Sequence, residues 1–386
     1  MRWVFALVLV LTAAVPAVGR AAVGAEPFSS GAVARPQNEE EQRGWSQAAE
    51  LREALLSGGV VYDDPALTAY VQRVIDRLYP EFKGTIHVTL LKSPHLNAFA
   101  VPDGNLYINV GLLARFDNEA QLATVLAHEG THFTNRHGYL SAKSVKSNAA
   151  FATVVGGLLG VPLIPDLIAI SSIFGYSREL ETEADEVGYR RLLQAGYDVH
   201  EAPKVFEHLA REVKAEDIRE PFFFSTHPKL KDRLDNMTRL SAKAVGGGDG
   251  AQREEYSRIM QQARADTLES MLSMGRAKQA LIVLENEASV RELPPQASYW
   301  RGEAYRRRGE PGDMQKAEAA YRSAIQAAPA FAPSYRALGI VLLKDGRKAE
   351  AASNFQRYLE LAPQAADRKY VESYLRIASQ PGTSKP

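Results

Sequence analysis

Two histidines four residues apart, with a glutamate directly after the first, are the side chains best suited to chemistry: His128-Glu129-Gly130-Thr131-His132. They fall on a stretch of helical periodicity whose apolar stripe is Leu122, Val125 and Leu126. A four-residue step puts both imidazoles on one face, one turn apart, where they can reach a single metal ion. The pattern suits zinc, and a carboxylate one residue on from the first ligand can face the attacking water and take its proton. His128 and His132 are therefore expected ligands and Glu129 the expected general base of a peptide-bond hydrolysis. Two ordinary helix histidines are the bland alternative.

A catalytic zinc takes three protein ligands and keeps one position open. The chain has no cysteine, so the third ligand is sought among carboxylates on another helix. Ser177 to Gly188 offers a Ser N-cap followed by Glu179, Glu181, Glu183, Asp185 and Glu186. Glu181, Ala184, Asp185 and Gly188 share one helical face, and the small residues on it would let this helix come close to the histidine helix. Glu181 is then the ligand, and Asp185 can orient a zinc-bound imidazole by hydrogen bonding. Spacing alone leaves Glu183 open as the ligand, and a solvated acidic face remains a competing reading.

The elements that must position these groups read as a mixed α+β domain. Asn118, with Gln121 three residues on, is a plausible cap for the histidine helix. Asp64-Pro65 opens a helix that buries Leu67, Tyr70, Val71, Val74 and Leu78. From Thr85 to Leu90 the period changes to two, predicting a strand, and Asn97 to Val110 reads as a hairpin turning at Pro102-Asp103-Gly104-Asn105. Farther on, Val245-Gly246-Gly247-Gly248-Asp249-Gly250 is the clearest linker. Beyond it Ala317 and Ala351, Tyr321 and Phe355, and Pro329 and Pro363 are each 34 residues apart, the period of tetratricopeptide repeats. A degenerate earlier copy surrounds Gly275 to Leu284.

His128-Glu129-x-x-His132 followed by Ser177-Arg178-x-x-Glu181-x-x-Ala184-Asp185 resembles the HtpX/BepA-like zinc metallopeptidases, relatives of the CAAX prenyl proteases. Asn97-Ala98-Phe99-Ala100-Val101-Pro102-Asp103-Gly104 resembles the hairpin before the metal helix in that family. The resemblance covers roughly Trp45 to Leu240. With the repeat tail and the apolar N-terminus, the whole chain resembles the BepA type of periplasmic outer-membrane quality-control protease. It implies one Zn2+ per chain on His128, His132 and Glu181, settling Glu181 over Glu183, with Glu129 as base. It further implies that His227, in Ser225-Thr226-His227-Pro228, lies near the metal. There it would either fill the open position at rest or donate to the oxyanion as a catalytic residue. A helix-capping loop is the plainer reading of His227.

Composition narrows the setting. Lys+Arg and Asp+Glu both number 46, which argues against an electrostatic nucleic-acid binder. Met1-Arg2, the apolar run from Trp3 to Val15 and the small residues before Glu26 read as a cleaved signal peptide, residues 1–25. The expected compartment is the periplasm, in association with the outer membrane. Residues 149–174 are apolar but interrupted by Pro162, Pro165 and Asp166. They are expected to form either a buried lid over the cleft or a peripheral membrane contact.

The expected organisation is a gluzincin-type zinc metallopeptidase domain at 39–243, mostly helical with a small sheet. A Gly-rich linker at 244–252 and an all-α tetratricopeptide-repeat domain at 253–380 follow. A chain ending near Lys243 is accordingly expected to fold alone. Extended polypeptide substrate is expected to pair with the strand Asn97, Ala98, Phe99 and Ala100, while the repeats recruit substrates or outer-membrane assembly proteins. The rival is a chaperone-like assembly adaptor with latent or secondary protease activity.

Overall fold

The computed structural model describes residues 25–144, 176–216, 230–244, 253–286 and 293–380. The expected signal peptide (save Ala25), almost all of the linker, the apolar segment 149–174 and His227 lie outside the described residues.

Local signals place the first elements. Helix α1 (Glu39–Ser57) is capped by Asn38, whose side chain accepts from Glu41 N. Helix α2 (Pro65–Leu78) has Pro65 first and Asp64 accepting from Leu67 N at 2.9 Å. Its apolar stripe, extended by Ile75, is buried as the spacing predicts. Strand β1 runs His87–Leu91, two residues later at its start than periodicity suggests. The cause is local: Thr85 and Ile86 N–H groups still bond to Phe82 O and so belong to a turn.

Strands β2 (Ala98–Ala100) and β3 (Asn105–Asn109) form the hairpin. The sheet order is β1-β3-β2, with β1 parallel and β2 antiparallel to β3, so β2 has an edge with no neighbouring strand among the described residues. Short helix α3 (Val110–Leu113) leads into α4 (Glu119–Thr134), the histidine helix, every residue of which is buried. Asn118 caps it by accepting from Gln121 N. Gln121 does reach back, but to Asp117 N rather than to the cap residue itself. The remaining helices of this part are α5 (His137–Ser144), α6 (Arg178–Gln194), α7 (Ala202–Glu216) and α8 (Leu230–Ser241).

Helices α9 (Arg253–Ile259), α10 (Gln261–Ser273) and α11 (Ala277–Glu285) follow the linker. Then come α12 (Ala297–Arg308), α13 (Asp313–Ala327), α14 (Ala332–Lys344), α15 (Lys348–Leu361) and α16 (Arg368–Ser379). Pairs α12/α13 and α14/α15 repeat and stack like a solenoid. Residues 34 apart, Ala317 and Ala351 and likewise Tyr321 and Phe355, occupy equivalent buried positions in one apolar cluster. A second cluster joins α10 and α11 to Trp300 and Ala304 of α12. The fold is thus a mostly helical domain with a small sheet, continued by repeating helix pairs.

Packing across the linker differs from the expected organisation. Tyr256, Met260 and Ala263 belong to the same apolar core as α2, α4 and the sheet, and each is fully buried. Tyr256 Oη donates to Leu113 O at 2.7 Å, and the fully buried Arg264 donates to Phe116 O at 2.8 Å. Tyr62 Oη donates to Asp266 Oδ2 at 2.6 Å. Farther along, Arg276 donates to His95 Nδ1 at 2.6 Å, which requires a neutral imidazole. Burial first, then the charges of Arg276 and Arg115, hold His95 down at about 4. We therefore propose that the functional boundary lies beyond α9 and α10, not at the glycines.

Candidate metal centre

The centre is assembled by α4 and α6, and small residues decide how closely they approach. A side chain on Gly188 would sit 3.1–3.2 Å from the backbone of Ala127 and His128, and Ala184 beside it is fully buried. The motif's own glycine is also needed for packing. A Cβ on Gly130 would come within 2.4 Å of the Tyr79 ring. Tyr79 Oη in turn bonds to Ala127 O and Thr131 Oγ1, fixing the turn between the two histidines.

His128, His132 and Glu181 meet in this seam, all buried. His128 Nε2 and His132 Nε2 are 3.0 Å apart. Glu181 Oε2 lies 3.5 Å from the former, and Oε1 lies 3.4 Å from the latter. A tetrahedral zinc with bonds of ~2.0–2.1 Å separates its ligands by about 3.3 Å, so this triangle has the dimensions of one face of such a site. The donor set fits as well: two imidazoles and a carboxylate, with sulphur excluded. Burial, and next to it the proximity of His128, keeps His132 well below its ordinary pKa and hence neutral, with a lone pair to give. Among the described residues this is the group of three able to hold a metal, consistent with one Zn2+ per chain.

The surrounding carboxylates have separate places. Asp185 Oδ1 is 2.9 Å from His128 Nδ1, the nitrogen facing away from the triangle. Burial would raise the Asp185 pKa, but the Arg233 guanidinium and His128 outweigh it and hold the group ionised. Arg233, from α8, donates through Nε and Nη2 to both Asp185 oxygens at 3.0 and 2.6 Å. Its Nη1 lies 3.3 Å from Glu181 Oε2, and the guanidinium covers the Phe206 ring. Glu183 is turned away from the triangle. Its oxygens face Asn135 Nδ2 at 2.6 Å and His137 Nε2 at 3.7 Å. Glu129 is fully buried on α4, and its charge and that of Glu181 add to burial in raising the Tyr176 pKa.

Of the expected substrate strand, Ala98, Phe99 and Ala100 form β2 beside α4, and all three are buried, as is Asn97. Tyr176, directly before α6, stacks on His132 with centroids 3.7 Å apart, and its hydroxyl reaches Ala100 O at 3.5 Å. Sequence reasoning passed over three residues of the site. Arg233 sits in Leu230-Lys231-Asp232-Arg233, which reads as a solvated helix start. His137 and Tyr176 lie outside any periodic pattern that includes the motif. Scarcity was the only signal available for His137, since the chain has eight histidines.

His128-Glu129-x-x-His132 is the HExxH zinc-metallopeptidase motif, and residues 63–241 match the profile of Peptidase family M48. This region is homologous to the M48 zinc metallopeptidases. The beta-barrel assembly-enhancing protease of Escherichia coli (strain K12) is 30% identical over 188 residues, 45% of this chain and 38% of that protein. The mitochondrial metalloendopeptidase OMA1 of Arabidopsis thaliana is 35% identical over 150 residues, 38% of this chain and 30% of the relative. OMA1 of Schizosaccharomyces pombe is 32% identical over 177 residues, 43% of this chain and 51% of the relative. The chain therefore spans about half or less of the length of these relatives. Among the described residues no helix is long and apolar enough to cross a membrane.

Proposed function

We propose that the chain is an exported zinc-dependent endopeptidase acting on unfolded or unassembled envelope proteins. The buried His128–His132–Glu181 triangle, with Glu129 on the same helix as the two histidines, carries this reading. Zinc bound there would supply Lewis-acid polarisation of the scissile carbonyl and acidification of a water molecule. Glu129 takes the water's proton on its carboxylate and delivers it to the leaving amine nitrogen. Asp185 accepts from His128 Nδ1–H and keeps Nε2 directed at the metal, and Arg233 keeps Asp185 ionised and in place. Extended substrate adds to the edge of β2 that faces away from β3, where backbone pairing orders an unfolded segment without selecting its sequence. That pairing requires Tyr176 to withdraw from Ala100 O.

The export and outer-membrane parts of the proposal rest on the N-terminal apolar run and on the likeness to beta-barrel assembly-enhancing proteases. We read the helix pairs as tetratricopeptide repeats on the 34-residue spacing of their buried positions, and assign them recruitment of partners or substrates. The adaptor reading, with proteolysis secondary, is favoured by one observation: β2 is buried and Tyr176 stands against its edge.

Casein hydrolysis by the purified mature chain separates the two. The protease reading expects steady cleavage that is abolished by a chelator and restored by stoichiometric zinc. An adaptor would show no zinc-dependent cleavage while still delaying aggregation of an unfolded outer-membrane protein.

A further inference from the structure

Arg136 is the one non-glycine residue with positive φ, 58°, among the described residues. An L side chain is strained in that region and stays there only where its surroundings hold it. Here they do. The buried guanidinium donates through Nε and Nη2 to both oxygens of Glu41 at 2.8 Å and through Nη1 to Glu26 O at 3.0 Å. The left-handed step ends α4 and turns the chain back, so that His137, the first residue of α5, returns over the last turn of α4.

His137 is completely buried, and its Nδ1 lies 2.9 Å from His132 Nδ1 with the rings at 72°. On its far side Nε2 faces Glu183 Oε2 at 3.7 Å, and Glu183 is itself held by Asn135. A neutral His132 that offers Nε2 to a metal must carry its hydrogen on Nδ1. The short Nδ1–Nδ1 distance then requires a lone pair on His137 Nδ1, which puts the His137 hydrogen on Nε2, toward the Glu183 carboxylate. We propose that His137 is a positioning residue for the metal ligand His132, accepting its Nδ1–H, with the negative charge of Glu183, 3.7 Å from His137 Nε2, favouring the tautomer that carries hydrogen there. The two histidine ligands are thus oriented differently, His128 by the carboxylate of Asp185 and His132 through an intervening imidazole. This inference rests on the metal-centre reading proposed above.

Zinc affinity of the full chain, measured by chelator competition, tests it, together with the visible spectrum of the cobalt(II)-loaded protein. His137→Phe keeps the ring's bulk and removes the acceptor. Its zinc affinity is expected to fall about 10- to 100-fold with altered cobalt bands, as for other lost ligand-orienting partners. His137→Asn places an oxygen near the position of Nδ1, and its affinity is expected to stay within about threefold of the wild type. A packing role alone predicts the opposite order, so a phenylalanine variant with undiminished affinity overturns the proposal. Should His137→Phe not fold, His137→Asn carries the test. A hundredfold loss in His137→Asn overturns it, and Glu183→Gln, which removes only the charge facing Nε2, is expected to change the affinity by less than His137→Phe does. Wild-type chain that takes up no zinc would instead remove the underlying metal-centre reading, and this inference with it.

Discussion

Glu129→Gln is expected to leave the fold and the zinc content intact while casein hydrolysis falls about 10²–10⁴-fold, the range general-base catalysis contributes. The substitution keeps the volume of a fully buried side chain on a helix that is buried throughout. It also leaves His128, His132 and Glu181 untouched, so binding and catalysis should separate cleanly. What it removes is the one carboxylate that the motif puts on the histidine helix beside the metal triangle and that the triangle does not use. Asp185 is engaged by Arg233 and His128, and Glu183 points to Asn135 and His137, so neither replaces it. Hydrolysis by Glu129→Gln at the wild-type rate, measured on zinc-loaded protein, would show that another group moves the proton.

The second large effect concerns truncation. A chain ending at Lys243 lacks Tyr256, Met260 and Ala263, which fill the peptidase core, and loses the bonds to Leu113 O and Phe116 O. Burying a side chain such as Tyr256 or Met260 contributes about 1.5–3 kcal/mol each, against a total stability of roughly 5–15 kcal/mol. The expected result is a melting temperature lower by about 10 °C or more than that of a chain ending at Asn286, which retains α9 to α11. Near-equal melting temperatures would mean that α9 and α10 are dispensable to this core and that the glycines are the true boundary.

What could be read from the sequence follows from how local each determinant is. The metal helix was legible because both histidines, the glutamate between them and the capping residue lie within one periodic stretch from Asn118 to His132. Glu181 and Asp185 were legible as a pair, since a four-residue step with Ala184 and Gly188 marks the face that meets α4. Spacing alone did not choose between Glu181 and Glu183, and the family resemblance did. In the structure Glu183 is turned toward Asn135 and His137, beyond the end of α4. His137 was illegible because its position depends on a left-handed Arg136, which no glycine announces and which distant Glu41 holds. The linker was legible as punctuation, while the boundary we propose farther along the chain was not. Glycines mark where the chain bends, and only long-range packing shows that α9 returns to the first core.

On the proposed reading His128, His132 and Glu181 hold one zinc while Glu183 does not. Zinc content of purified Glu181→Ala and Glu183→Ala, beside the wild type, tests it most directly. Close to one zinc per chain is expected for the wild type and Glu183→Ala, and almost none for Glu181→Ala. Near-stoichiometric zinc in Glu181→Ala, with loss in Glu183→Ala, would contradict it.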